Sequence, residues 1–124
     1  FGTATTFDVI SAKGEYMGGA IVPGIEISMD ALFGRAAALR RVELVAPRSV
    51  IGRTTVESIQ SGAVFGYSSL VDGMCERIED VIGDPTIVAT GGLAGLIAPA
   101  TTSIEHEEPW LTLHGLRLIW EKNQ

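Results

Sequence analysis

The sequence has a single cysteine, Cys75, so it can form no disulfide within itself and offers no pair of thiols to a metal. That lone thiol reads as a small buried or half-buried side chain. Positive charge is scarce, with 9 Lys and Arg against 15 Asp and Glu, a net charge of −6. A nucleic-acid surface needs clustered cations to displace counterions, so no nucleic-acid partner is expected. The one basic patch, "RAAALRR", holds Arg35, Arg40 and Arg41 and reads as a solvated helix end, where cations suit the dipole. Long apolar runs are missing too, each being broken by Gly, Asp or Arg, so no membrane span is expected. The two histidines, His106 and His114, have no partner cysteine, and a metal centre there is not expected. There is no signal-peptide pattern, no Pro/Ser-rich linker and no internal repeat, and residues 1–124 read as one domain. The chain also opens on Phe1 rather than methionine, which suggests a piece of a longer, cytoplasmic polypeptide.

What is present is 46% hydrophobic residues, patterned for an α/β domain. "TATTFDVIS" is rich in β-branched residues, "AKGE" is a turn, and "YMGGAIVPG" returns as a second strand, which predicts a hairpin. "IEISMDALFGRAAAL" then places Ile25, Met29, Leu32, Ala36 and Leu39 at helical spacing. "RRVELVAPRS" reads as a short strand ended by Pro47. A long helix is predicted over 54–82, with a seam of Val56, Ile59, Ala63, Tyr67, Leu70, Met74, Ile78 and Val81. "TIVATGG" reads as a short strand buried on both faces. A helical turn and "APATTS" follow, then "SIEHEE" as a last short strand. "PWLTLHGLRLIWEKN" reads as a closing helix with Pro109 near its first position. The order is β-β-α-β-α-β-α-β-α around a mixed sheet.

Three stretches can carry chemistry. "TTVE" is a capping box, in which Thr54 accepts from the backbone N–H of Glu57 and the Glu57 carboxylate reaches back to Thr54 N–H. Thr55 is then the first helical residue, its hydroxyl spare beside free N–H groups that suit a carboxylate or phosphate; it also reads simply as an N-terminal polar residue. In "TIVATGGLA", Gly91 and Gly92 stand where a strand passes into a helix, which suits a flat ligand or a tight turn equally. In the opening "FGTATTFD", Gly2, Thr3, Thr5 and Thr6 offer hydroxyls and N–H groups to a phosphate. Alternation puts Thr3 and Thr5 on one strand face, with Thr6 and Asp8 on the other. Threonine is also simply a good strand former. A further stripe, Gly62, Gly66, Ser69 and Gly73, falls within about 40° on a helical wheel. Each mid-helix glycine costs about 1 kcal/mol against alanine, so close approach of another backbone is expected, within the domain or across a dimer.

Taken together, these stretches resemble the type III pantothenate kinases of the actin-like ATPase superfamily. "FGTATTFD" matches all but the first residue of that family's second phosphate motif, an Asp followed by x-G-T-A-T-T-x-D. "GGAIVPG" follows at the expected interval, "TTVESIQSG" resembles the start of the interface helix, "TGGLA" the adenosine loop, and "HEEPWLTLHGLRLIW" the C-terminal end. The resemblance implies a ribonuclease H-like (actin-like ATPase) domain, a mixed sheet with flanking helices, forming the C-terminal lobe of a two-lobed kinase. It implies ATP-dependent phosphorylation of pantothenate to 4′-phosphopantothenate, the first step of coenzyme A biosynthesis. The implied cofactors are a monovalent cation (potassium or ammonium) and magnesium with ATP.

By the same resemblance, Gly2, Thr3, Thr5 and Thr6 meet ATP phosphate, Gly91 and Gly92 lie against the nucleoside, and Thr55 contacts pantothenate across a homodimer built on the long helix 54–82. No catalytic base and no metal ligand is expected in this chain. The base belongs to a missing N-terminal half, and the cation-ligating Asp stands just before Phe1. Family members often carry Asn where Thr54 stands, an exchange the cap tolerates. The isolated chain is expected to be inactive. The rival readings are a non-catalytic homologue acting as a dimeric accessory or regulatory protein, a lobe acting chiefly as a dimerisation module, and a kinase or ATPase of the superfamily with another substrate.

Overall fold

The computed structural model describes residues 1–36 and 41–124, which divide into two compact units, 1–63 and 64–124. In the first, β1 (Ala4–Ile10) and β2 (Tyr16–Pro23) form the expected antiparallel hairpin, with Thr6 opposite Ile21 and Asp8 opposite Gly19. The turn is set by Ser11, whose Oγ accepts from the N–H groups of Lys13 (3.3 Å) and Glu15 (3.1 Å). A bulge at Val9/Ile10 precedes it.

Helix α1 (Ile25–Arg35) follows directly, with Ile25 buried. Leu39 and Arg40, expected on this helix and at its basic end, lie outside the described residues. Arg41 pairs with Asp30 at 2.8 Å with both side chains exposed, a contact worth little in water. In the described part of "RRVELVAPRS", residues 41–49, the expected strand does not form. Val45 N–H donates to Glu43 O (3.1 Å), a three-residue γ-turn that bends the backbone out of the extended conformation a ladder requires.

The long helix is present but composite. Helix α2 (Thr55–Ser61) runs into a π-helical segment (Gly62–Gly66) and on into α3 (Tyr67–Ile82). A π turn carries an extra residue, so side chains beyond it appear one position late on each face. The seam behaves accordingly. Ile59 and Ala63 are buried as expected, whereas in α3 the buried residues are Ser68, Val71 and Cys75 rather than Tyr67, Leu70 and Met74. Val56 and Val81, the ends of the expected seam, are exposed.

In the second unit, β3 (Val88–Ala89) pairs in parallel with β4 (His106–Glu107). The strand expected to be buried on both faces is thus only two residues long, and Val88 is 45% exposed. Ala89 is buried whereas Val88, which points to the opposite face, is exposed, so only one face of the strand is covered. Helix α4 (Ala94–Ile97) continues into a 3₁₀ turn (Ala98–Ala100). Helix α5 (Leu111–Lys122) starts two residues after Pro109, with Trp110 as its N-cap, and has no buried residue. Among the described residues the strands form two two-stranded sheets in place of the expected single mixed sheet, and the chain is α/β in that coarser sense.

Among the described residues the buried apolar ones are Ile25, Ile59 and Ala63 in the first unit; in the second they include Val64, Val71, Cys75 and Ile97. Each large aliphatic among them contributes about 1.5–3 kcal/mol. No helix among the described residues is long and apolar enough to cross a membrane.

Candidate functional site

The first unit carries both threonine motifs. Gly2 and Thr3 are exposed at the head of β1. The junction of β2 with α1 is pressed against them: Gly24 N–H donates to Thr3 O (2.9 Å). A Cβ on Gly24 would stand 2.7 Å from the Thr3 carbonyl carbon and closer still to the Gly2 and Thr3 oxygens, so only glycine fits.

Alternation along β1 divides the remaining hydroxyls. Thr5 is 2% exposed, and among the described residues its Oγ1 is a buried polar atom without a hydrogen-bond partner. Thr6 lies exposed on the opposite face and donates to Asp8 Oδ2 (3.0 Å), while Tyr16 Oη donates to Asp8 Oδ1 (3.1 Å). The hydrogen bond to Asp8, with its nearby charge, raises the Tyr16 phenol above its ordinary pKa. Thr3 is therefore the open hydroxyl of the motif, Thr5 an inward one, and Thr6 is engaged with Asp8.

At the head of α2, Thr54 Oγ1 accepts from Glu57 N–H (3.1 Å), the expected cap. The reciprocal bond differs from expectation: Glu57 Oε2 accepts from Arg53 N–H (2.7 Å), not from Thr54 N–H. The carboxylate reaches one residue further back because the chain entering the helix folds over its first turn. Thr55 is exposed as the first residue of α2.

Gly91 and Gly92 belong to the second unit and are exposed between β3 and α4, Gly91 at φ 104° with its carbonyl accepting from Ala94 N–H (3.2 Å). In the same unit, Asp72 of α3 is a residue that sequence patterning passed over. Its carboxylate accepts from Thr102 N–H (3.0 Å to Oδ2), Ser103 N–H (3.0 Å) and Ser103 Oγ (2.6 Å). Burial alone would raise its pKa, but the hydrogen bonds from Ser103 and Thr102 outweigh that and hold the carboxyl below its ordinary value. Asp72, Glu76, Glu79 and Glu105 line an open groove of about 680 Å³. Burial likewise pushes the Cys75 thiol up, the Ser103 hydrogen bond partly opposing it.

No group of three or more His, Cys, Asp or Glu placed to hold a metal ion occurs among the described residues. The oxygens this segment does offer, the exposed Thr3 hydroxyl just before β1 and the buried, unpartnered Thr5 Oγ1 within it, are neutral and hard, a chemistry that suits hard cations rather than thiophilic metals.

The family model described as type III pantothenate kinase matches residues 1–77, which include the threonine hairpin and the head of α2. A curated type III pantothenate kinase of Rhodococcus jostii is 56% identical over 100% of this chain and 48% of its own length. One from an Anaeromyxobacter species is 59% identical over 100% of this chain and 49% of its own, and one from Streptomyces coelicolor is 54% identical over 99% and 48%. The chain thus spans about half the length of the curated relatives it matches. Among solved structures, a Campylobacter jejuni protein assigned to the Baf family of transcriptional activators superposes with a TM-score of 0.64 at 24% identity, covering 98% of this chain and 55% of that one. That likeness is one of fold.

Proposed function

The chain belongs to the type III pantothenate kinase family, and from that premise we propose that it is the C-terminal lobe of an enzyme phosphorylating pantothenate with ATP to 4′-phosphopantothenate, the step that opens coenzyme A biosynthesis. The observation that carries this reading is that the family match covers the hairpin with Thr3 and the α2 head with Thr55, where the structure leaves both hydroxyls exposed. The lobe belongs to a ribonuclease H-like, actin-like fold, and by itself it is inactive.

Phosphoryl transfer through a loose, in-line transition state is catalysed by positioning and by neutralising charge on the phosphoryl oxygens. In this lobe Gly2 and Thr3 take phosphate oxygens of ATP, while Thr5 and Thr6 hold the strand that presents them. Gly91 and Gly92, without side chains, let the nucleoside lie against the β3–α4 turn. Thr55 holds pantothenate in the neighbouring subunit of a homodimer formed along 54–82. The base that takes the proton of the attacking hydroxyl comes from the preceding half of the enzyme. When bound, magnesium carried with the nucleotide, together with potassium or ammonium, would supply positive charge at the phosphates. The neutral oxygens of Thr3 and Thr5 are compatible donors for an alkali cation. The enzyme works in the cytoplasm.

The test is pantothenate-dependent ADP release by the full-length enzyme, with and without potassium, set against Thr55→Ala. Potassium-stimulated turnover that collapses in the variant supports the reading, and a folded full-length protein without turnover defeats it.

A further inference from the structure

Three polar side chains of α2 share one task. Glu57 Oε2 accepts from Arg53 N–H (2.7 Å), Gln60 Nε2 donates to Glu43 O (3.0 Å), and Ser61 Oγ donates to Val50 O (2.5 Å). All three partners are backbone groups of the segment 43–53. Gln60 and Ser61 are 9% and 7% exposed, so these are buried polar groups satisfied by that segment. Gly52 completes the contact. A Cβ there would stand 2.6 Å from the Glu57 carbonyl carbon and closer still to Ser58 N, backbone atoms of the helix that cannot step aside. Residues 50–53 are thus held against the first two turns of α2, and the chain passes from them straight into Thr54 and Thr55.

We infer that Glu57 and Gly52 are positioning residues for Thr55, fixing the path by which the chain enters α2 and so the placement of the Thr55 hydroxyl against pantothenate. The inference rests on the reading of Thr55 given above. Glu57 is only half-buried and Val50, Ile51 and Arg53 are exposed, so loosening this segment disturbs little of the core. A displacement on the order of 1 Å at a substrate contact is nonetheless enough to lose most of its effect.

The experiment measures pantothenate and nucleotide affinities by calorimetry on the full-length protein that carries this chain. Glu57→Ala and Gly52→Ala are each expected to weaken pantothenate about tenfold while nucleotide affinity stays within about twofold. Glu57→Gln, whose amide oxygen still accepts from Arg53 N–H, restores most of the loss. In a Thr55→Ala background, Glu57→Ala adds less than about twofold, because it acts through the hydroxyl already removed.

An equal loss in that background overturns the inference, as does an equal loss for nucleotide, or unchanged pantothenate affinity in Glu57→Ala. If Gly52→Ala does not fold, the Glu57 series still decides. Should Thr55→Ala itself leave pantothenate affinity unchanged, the reading of Thr55 falls and the inference with it. Weakening by Thr55→Ala with none by Glu57→Ala defeats the inference alone.

Discussion

Asp72→Ala tests the second unit most directly. The carboxylate joins the middle of α3 to a loop 30 residues later, and its removal leaves Thr102 N–H, Ser103 N–H and Ser103 Oγ without their acceptor. A hydrogen bond to a charged group contributes about 1.5–3 kcal/mol where water is excluded. The Asp72 site is open enough for water to replace part of each bond, which brings the net loss down to about 1–2 kcal/mol for the whole set. With an unfolding entropy of about 2.1 cal/mol/K per residue, that lowers the melting temperature of a chain this size by about 4–8 °C.

The sign with pH follows from the direction of the shift. Asp72 is held below its ordinary pKa in the folded state, so its contribution is full above the unfolded value of about 3.9 and fades as pH falls through the folded one. The gap between the native chain and Asp72→Ala is therefore expected at neutral pH and should close in acid. Thermal melts at several pH values, with amide exchange at Thr102 and Ser103, read both effects. Equal melting temperatures at pH 7 with unchanged exchange at those two amides refute the reasoning, and so does a gap that persists unchanged in acid.

Thr54→Ala removes the cap on Glu57 N–H and is expected to cost about 1 kcal/mol, whereas Thr54→Asn keeps it; denaturant midpoints of the two variants should differ accordingly. Ile97 is fully buried in α4, and Ile97→Ala is expected to cost about 2–5 kcal/mol by urea unfolding, the largest loss among these variants. Gly66→Leu meets nothing within 4 Å of its Cβ among the described residues, so the substitution should hold or raise the helix's own stability. If a partner subunit packs on that stripe, sedimentation of the full-length protein shifts from dimer to monomer, and an unchanged dimer would remove the stripe from the interface.

The features that could be read from the sequence are those whose cause lies within a few residues. The hairpin follows from β-branched residues flanking a turn in which Ser11 bonds Lys13 and Glu15. The start of the long helix follows from Thr54 and Glu57 three apart, and alternation separated the buried Thr5 from the exposed pair Thr6 and Asp8. The order of the motifs was likewise enough to indicate the family.

What only the tertiary structure decided depends on groups far apart or on a change of helical period. A wheel drawn at 100° per residue cannot anticipate the π segment at 62–66, so the buried face of α3 moved from Tyr67, Leu70 and Met74 to Ser68, Val71 and Cys75. The apolar residues of "RRVELVAPRS" promised a strand, yet Glu43 O takes the Gln60 amide and Val45 N–H, and the backbone turns there instead. Asp72 looked like any polar residue of an amphipathic helix until the fold brought Thr102 and Ser103 to it. The local sequence sets which backbone states are favourable. Which polar groups satisfy one another is settled only when distant segments meet, because an unmet buried donor or acceptor costs more than a local preference returns.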